Sequence, residues 1–131
     1  MPDPGWDEEL VPRSTAEVVL RLVERFGDLR PLYEEHLREN DELLPHVLFW
    51  DFTEWVVRSY LAARQREDTW KAVIDQLETE FEHGDDNVRE LLAVSFLENL
   101  PYPGEEGADI AERLGPNLSA ELHRLRGERS P

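Results

Sequence analysis

The chain of 131 residues contains no cysteine, and its basic residues number fewer than half of its acidic ones. The lack of cysteine excludes disulfide bonds, thiolate metal sites and cysteine nucleophiles, and it fits a reducing cytoplasm. No apolar run approaches the roughly 20 residues that a membrane-spanning helix needs. Residues 1–9 have neither the basic nor the apolar stretch of a signal peptide. We therefore expect a cytoplasmic location.

Charge of one sign dominates what is present. Thirty acidic and fourteen basic side chains give a formal net charge of −16 at pH 7. Such a field repels nucleic acid phosphates and anionic membrane surfaces and attracts basic proteins. We expect a basic protein partner, and no binding to nucleic acid or to membranes. Hydrophobic residues still make up 40% of the chain, so the charge does not indicate disorder.

Apolar residues recur at helical spacing along the chain, and no alternating strand pattern is visible. The sequence predicts an all-α fold of six to seven helices stacked as αα-hairpins, either HEAT-like or an irregular bundle. The segment Ser14–Glu17 resembles a capping box that would begin the first helix. We expect one helical domain over 14–126, with termini 1–13 and 127–131 that are flexible or loosely docked.

A central helix is predicted over 44–66, where apolar residues cover almost the whole circumference. Such a helix is expected to be buried on most sides. The next helix should be capped by Asp68 and end at Gly84, after which the turn Asp85–Asn87 leads into a helix from Val88 to Leu100. These two helices should form an αα-hairpin.

No motif in the chain indicates catalysis or metal binding. Glu80 and His83 make one Glu-x-x-His motif, whereas a di-iron bundle needs two. Ser95 lies within a helical pattern and lacks the Gly-x-Ser-x-Gly elbow of hydrolases. The glycines stand singly and form no phosphate-binding loop. We expect no catalytic residues, no metal, no cofactor and no enzymatic activity.

Three polar residues of the central helix, Asp51, Glu54 and His46, are candidates for functional or structural roles. Asp51, among aromatic residues, could be a pocket carboxylate with a raised pKa or a structural hydrogen-bonding group that links helices; we favour the structural role. Glu54 can pair with Arg58 one turn further on. His46 is expected to cap or pack rather than to titrate usefully.

A candidate partner-binding surface combines the densest acidic segments with one aromatic residue. Its residues are Glu78, Glu82, Asp85, Asp86, Tyr102, Glu105 and Glu106. If they lie on one side of the molecule, they can steer a basic partner electrostatically. Trp6 and Tyr102 lie in stretches rich in proline and glycine, where they could anchor an interface or fold back over the core.

Several segments together resemble a family of small, uncharacterised bacterial helical proteins that is classed as a domain of unknown function. They are Leu43–Leu48, Phe81–Asp85, Leu91–Leu100 and Leu114–Leu118 with Glu121–Leu122. The resemblance covers about residues 15–125, and Val94–Leu100 is its most specific part. Members look like immunity-type proteins of polymorphic toxin loci. This implies binding and neutralisation of a cognate toxin, without catalytic residues.

We therefore expect a non-enzymatic acidic protein-binding module, of immunity type, that sequesters a basic toxin such as a nuclease. The alternative is a structural or regulatory adaptor, or a homodimer, in which the acidity serves solubility alone.

Overall fold

The computed structural model describes residues 11–63 and 69–129. It confirms the all-α fold: no strand occurs in these two ranges. The α-helices of the described residues are α1 (Arg13–Arg25), α2 (Arg30–Asn40), α3 (Pro45–Ala62), α4 (Thr69–His83), α5 (Asp86–Ser95) and α6 (Pro116–Arg129). Short 3-10 helices span Gly27–Leu29, Leu97–Asn99 and Ala108–Arg113.

The helices pack as an irregular bundle in which α1, α3, α4 and α5 all contact one another. Helix α5 contacts α1, α3, α4 and α6, whereas α3 contacts α1, α2, α4 and α5. The short connection between α4 and α5 and the contact between them give the predicted αα-hairpin. The core lies where the apolar faces of α1, α3, α4 and α5 meet.

Large aromatic side chains fill much of this core. Trp70 and Tyr60 are almost completely buried, and their rings meet edge to face at 5.0 Å between centroids. The indole N–H of Trp70 donates to the carbonyl of Ala63 at 3.3 Å. Phe49 and Phe52 make a second edge-to-face pair at 5.3 Å. The Trp70 contacts join the end of α3 to the start of α4, whereas the Phe49–Phe52 pair lies within α3.

Helix α3 departs from the expectation of burial on most sides. Phe49, Phe52 and Val56 lie in the core, but the side chain of Trp50 is 62% exposed and that of Val47 is 48% exposed. The sequence pattern shows that hydrophobic residues surround the helix axis, but a side chain is buried only if another element of the fold packs against its side of the helix. No described helix covers the face that carries Trp50, so this face borders solvent.

The start of α1 also differs from the expectation. The helix begins at Arg13 after Pro12, and no side chain caps it. The predicted capping box at Ser14–Glu17 is therefore wrong. The hydroxyl of Ser14 donates instead to Asp85 Oδ1 at 3.0 Å. The predicted cap at Asp68 lies outside the described residues, as does the predicted end of the central helix at 66.

Candidate functional site

A cleft of about 620 Å³ lies between α3 and the segment 98–106. The segment leads from the 3-10 helix Leu97–Asn99 into a loop, so the cleft has one helical wall and one loop wall. Its lining consists of Trp50, Thr53, Glu54, Val57, Arg58, Glu98, Asn99, Leu100, Pro101, Tyr102, Glu105 and Glu106. We call it the acidic aromatic cleft.

The helical wall comes from one face of α3. Trp50, Glu54 and Val57 recur at spacings of four and three residues, which places them on adjacent turns of the same face. Glu54 and Arg58 form the ion pair that their spacing predicts, and both side chains are exposed. Trp50 therefore lies on the same solvent-facing side of α3 as the charged Glu54 and Arg58, and not in the core.

The loop wall is built from consecutive turns. The N–H of Glu105 donates to the carbonyl of Tyr102 at 2.9 Å. Pro103 and Gly104 lie between them, and Gly104 has φ +97°. Proline followed by a left-handed glycine is the arrangement of a type II turn, which a residue with a Cβ would strain at the glycine position. The turn fixes where Tyr102 and Glu105 stand.

Side chains reinforce this loop. The carboxylate of Glu105 accepts the backbone N–H of Tyr102 at 2.7 Å. This hydrogen bond fixes the Glu105 side chain against the turn that ends at Glu105. Arg126 of α6 donates through Nη2 to the carbonyls of Leu100 at 2.9 Å and Pro101 at 3.3 Å. The Arg126 guanidinium also lies 4.3 Å from the centre of the Tyr102 ring. The loop is thus tied to α6.

The cleft combines apolar surface with negative charge. Tyr102 is 42% exposed and faces the same space as the more exposed Trp50. Four carboxylates line the cleft, whereas Arg58 is the one basic residue of its lining and is paired with Glu54. Exposed tryptophan and tyrosine are the residue types that most often anchor protein interfaces. This chemistry suits an apolar and positively charged ligand.

The structure brings together three of the seven candidate partner-binding residues. Tyr102, Glu105 and Glu106 line the acidic aromatic cleft. Asp85 lines another cleft, which it shares with Ser14, Arg21 and Glu80. The two clefts share no lining residue.

The remaining candidates have local structural settings. Asp85 caps α5 by accepting the Val88 N–H at 2.9 Å, and the hydrogen bonds from Val88 and Ser14 lower the pKa of its carboxyl. Asp86 is the first residue of α5, where its charge suits the helix dipole. Glu82 is exposed near the end of α4. Glu78 caps a different helix, α6.

The glutamate of the Glu-x-x-His motif, Glu80, forms an ion pair with Arg21. Glu80, on the buried side of α4, accepts Arg21 Nε at 2.9 Å and Nη2 at 2.7 Å, with Gln76 Nε2 at 2.9 Å as a third donor. Burial raises the pKa of Glu80, but these hydrogen bonds outweigh it and leave the pKa below its ordinary value. In the described ranges, no group of three or more histidine and carboxylate side chains could hold a metal.

The polar residues of α3 have settings that differ from one another. Asp51 is exposed, so it occupies no buried pocket, and it forms no helix-linking hydrogen bond with the described residues, contrary to the structural role expected from the sequence. His46 Nδ1 lies 2.7 Å from the hydroxyl of Ser95, which joins α3 to α5 as a packing role would require. Ser95 is 2% exposed and lies outside the acidic aromatic cleft, so a ligand in the cleft cannot reach its hydroxyl.

Sequence reasoning missed Trp50 and Glu98 as members of the site. The helical spacing of apolar residues in the predicted central helix places Trp50 in its buried circumference. Glu54 and Arg58, one and two turns further along the same face, were the signal that this face meets solvent. Glu98 carried no such signal, because its place depends on how the 3-10 helix after α5 turns toward α3. Trp6 lies outside the described residues.

Comparison with known proteins gives one family. The family with the description "Domain of unknown function (DUF7674)" matches residues 19–128. This confirms the resemblance at the level of a domain of unknown function. No curated protein and no solved structure matches the chain significantly. Among the described helices, none is both long and apolar enough to cross a membrane.

Proposed function

The chain belongs to the DUF7674 family, and we propose that it is a non-enzymatic protein-binding module whose acidic aromatic cleft takes a basic segment of a partner. The observation that carries this proposal is the exposed indole of Trp50 beside carboxylates on both walls of the cleft. Burying an indole is favourable by roughly 25 cal/mol per Å² of apolar surface. The indole supplies affinity, and the carboxylates select the sign of the partner's charge.

A prearranged loop wall supports binding without a large ordering cost. The turn at Pro103–Gly104, the Glu105 hydrogen bond and the Arg126 contacts hold Tyr102 and Glu105 where they stand. Side chains that are already ordered lose less conformational entropy when a partner arrives. The acidic surface around the cleft also raises the rate of encounter with a basic protein, an effect that salt screens.

The negative net charge of the chain favours some classes of partner over others. With a net charge of −16, the chain is repelled by nucleic acid and by a second copy of itself. A basic protein is the macromolecule that this surface attracts. The adaptor or homodimer alternative has the exposed Val47 and Trp50 in its favour, since these could form an apolar contact between copies.

Within this function, we propose an immunity-type role in which the partner is a basic toxin, such as a nuclease. Carboxylates of the cleft would then occupy the toxin surface that otherwise binds phosphates. The support for this role is the family resemblance carried by Val94–Leu100, together with the acidity of the chain. A cytoplasmic location belongs to the same proposal, because neutralisation would take place inside the producing cell.

The test is affinity capture from a lysate of the native source at low salt, on three immobilised proteins. They are the wild type, the cleft variant Glu105→Gln/Glu106→Gln, and the control Glu24→Gln/Glu90→Gln, which changes the charge equally outside the cleft. We expect the wild type and the control to retain one basic protein stoichiometrically, and the cleft variant to release it at lower salt. No retained basic protein, or equal retention by all three, would contradict the proposal.

Two further readouts separate the parts of the proposal. One equivalent of the wild type should abolish the toxicity or nuclease activity of the captured protein. If the captured protein shows neither, the immunity role is wrong while the binding module stands. Sedimentation of the wild type alone tests the homodimer: a monomer is expected, and a stable dimer that Trp50→Ala dissociates would favour the alternative.

A further inference from the structure

The chemistry of the acidic aromatic cleft specifies the basic side chain that it takes. We infer that the cleft selects arginine over lysine, because the partner's guanidinium stacks on the exposed indole of Trp50 while adjacent carboxylates accept its N–H groups. This inference rests on the proposed function and names the partner group that the same cleft recognises.

Trp50 offers the better of the two aromatic surfaces in the cleft. Indole is the strongest cation–π acceptor among side chains. The ring of Tyr102 already has the guanidinium of Arg126 over it, at 4.3 Å from its centre. Trp50 has no such cation among the described residues, and 62% of its surface is exposed. The indole is therefore the aromatic surface of the cleft that a partner's cation can reach.

The carboxylates beside Trp50 suit a planar cation. Glu54 lies one helical turn from Trp50 and already binds one guanidinium, that of Arg58. Glu105 and Glu106 approach from the loop wall, and Glu105 is fixed by the Tyr102 N–H at 2.7 Å. A guanidinium can stack on a ring and still donate in its own plane to carboxylates. A lysine ammonium is a compact, strongly hydrated charge and cannot do both equally well.

Arginine–aromatic contacts of this kind also occur within the fold. Guanidinium groups lie over aromatic rings at Arg25–Phe26, Arg89–Phe81 and Arg126–Tyr102, at 4.8, 5.5 and 4.3 Å. In the last two cases the same arginine also donates to backbone carbonyls. These internal pairs show the geometry that we assign to a partner arginine over Trp50.

The probes that test this inference are hexa-arginine and hexa-lysine peptides, each titrated calorimetrically into the full chain at low salt. Both peptides have the same charge, so diffuse attraction to the acidic surface contributes equally and the ratio of affinities reports the difference between guanidinium and ammonium, of which the Trp50 variants separate the stacking part. We expect hexa-arginine to bind about two- to fivefold more tightly, the range of an exposed cation–π contact.

Three variants decide whether Trp50 is responsible. Trp50→Ala should abolish the preference, and Trp50→Phe should retain part of it. The control Val94→Ala, which truncates another exposed apolar side chain outside the cleft, should leave the preference unchanged. Because Trp50 is mostly exposed, its replacement leaves the core intact, and an unchanged unfolding midpoint confirms this.

Each other outcome overturns the inference in a recognisable way. If both peptides bind the wild type equally, or if Trp50→Ala weakens both by the same factor, arginine selection is wrong while the binding module stands. If neither peptide binds at low salt, the inference and the proposed function both fail.

Discussion

Glu78 of α4 holds the first turn of α6 through Asn117. Its Oε2 accepts the backbone N–H of Asn117 at 3.0 Å and the side-chain amide at 2.7 Å, while Oε1 accepts the N–H of Leu118 at 3.0 Å. Pro116, the first residue of α6, has no N–H to satisfy. The carboxylate of one helix therefore caps another, and Glu78 has a structural function in the fold.

Removing this cap should destabilise the protein. Glu78→Ala leaves two N–H groups of α6 without their acceptor, and we expect the free energy of unfolding to fall by about 1–2 kcal/mol. Glu78→Gln keeps one carbonyl acceptor and should cost less. Urea unfolding followed by circular dichroism measures both. A Glu78→Ala protein as stable as the wild type would show that water replaces the carboxylate at no cost.

The ion pair between Arg21 and Glu80 should contribute to stability across a defined range of pH. The Glu80 side chain is only 8% exposed, whereas that of Arg21 is 52% exposed. Arg21→Met leaves a mostly buried carboxylate without its cation, and we expect a loss of about 1–3 kcal/mol. The double variant Arg21→Met/Glu80→Leu should recover part of that loss, because it removes the buried charge as well.

The pH dependence of this pair follows from its lowered pKa. The pKa of Glu80 in the folded state lies below the ordinary value of 4.5, so the ionised carboxylate stabilises the fold at pH values above 4.5. This contribution is lost as the pH falls from 4.5 through the pKa of the folded state. Unfolding measured from neutral pH downward should show a shallower acid decline in Glu80→Gln than in the wild type. Equal declines would contradict the assignment.

His36 should make stability depend on pH near neutrality. This side chain is 2% exposed, and its Nε2 accepts the N–H of Leu44 at 2.9 Å, which fixes the chain between α2 and α3. Burial lowers the pKa of His36, and the nearby Asp51 carboxylate opposes the effect only partly. Protonation would set an N–H against the Leu44 N–H, so the neutral ring is the form that the fold holds.

The sign of the His36 effect is opposite to that of a salt-bridged histidine. Because the unfolded chain binds the proton more readily, stability is complete above the ordinary pKa of 6.5 and declines as the pH falls below it, until the folded pKa is passed. His36→Gln, which keeps an acceptor but does not titrate, should remove this decline. Asp51→Asn should extend it to lower pH. A decline that survives in His36→Gln would assign it to another group.

Two glycines give a matched test of packing. A Cβ on Gly84 would lie 2.5 Å from the carbonyl oxygen of Glu80 and 2.6 Å from Val88 Cγ1, whereas a Cβ on Gly27 would meet nothing within 4 Å. We expect Gly84→Ala to cost about 1–3 kcal/mol by forcing α4 and α5 apart. Gly27→Ala should be neutral or stabilising by up to about 1 kcal/mol. Thermal unfolding of both variants measures the difference, and equal midpoints would contradict it.

Local patterns in the sequence predict the existence of the helices and the hairpin, but the bounds of α5 differ: it spans Asp86–Ser95 rather than Val88–Leu100, and a 3-10 helix follows it. Gly84 ends α4 and an acid-rich turn follows, because glycine and aspartate have strong local preferences there. Contacts between residues that are distant in sequence could not be predicted from local patterns. The local sequence predicts that Ser14 caps α1, but in the fold its hydroxyl donates to Asp85, 71 residues away. Glu78 reaches Asn117 over 39 residues in the same way.

The candidate site was predicted in part for the same reason. Tyr102, Glu105 and Glu106 stand out because proline and glycine place them in one loop. Trp50 is 52 positions from Tyr102 and lies in an apolar run, so only the packing of the loop beside α3 shows that both line one cleft. Whether an acidic cluster shares a face depends on this packing, and a sequence pattern does not contain it.

The most direct test of the account is to map where a basic ligand binds, by following backbone amide and indole NMR signals while hexa-arginine is added at low salt. We expect the largest shifts at the Trp50 indole and at the amides of Tyr102, Glu105 and Glu106, all moving together and reversing with salt. Shifts concentrated at Asp85 and Asp86, or spread evenly over every acidic segment, would contradict a binding site in the acidic aromatic cleft.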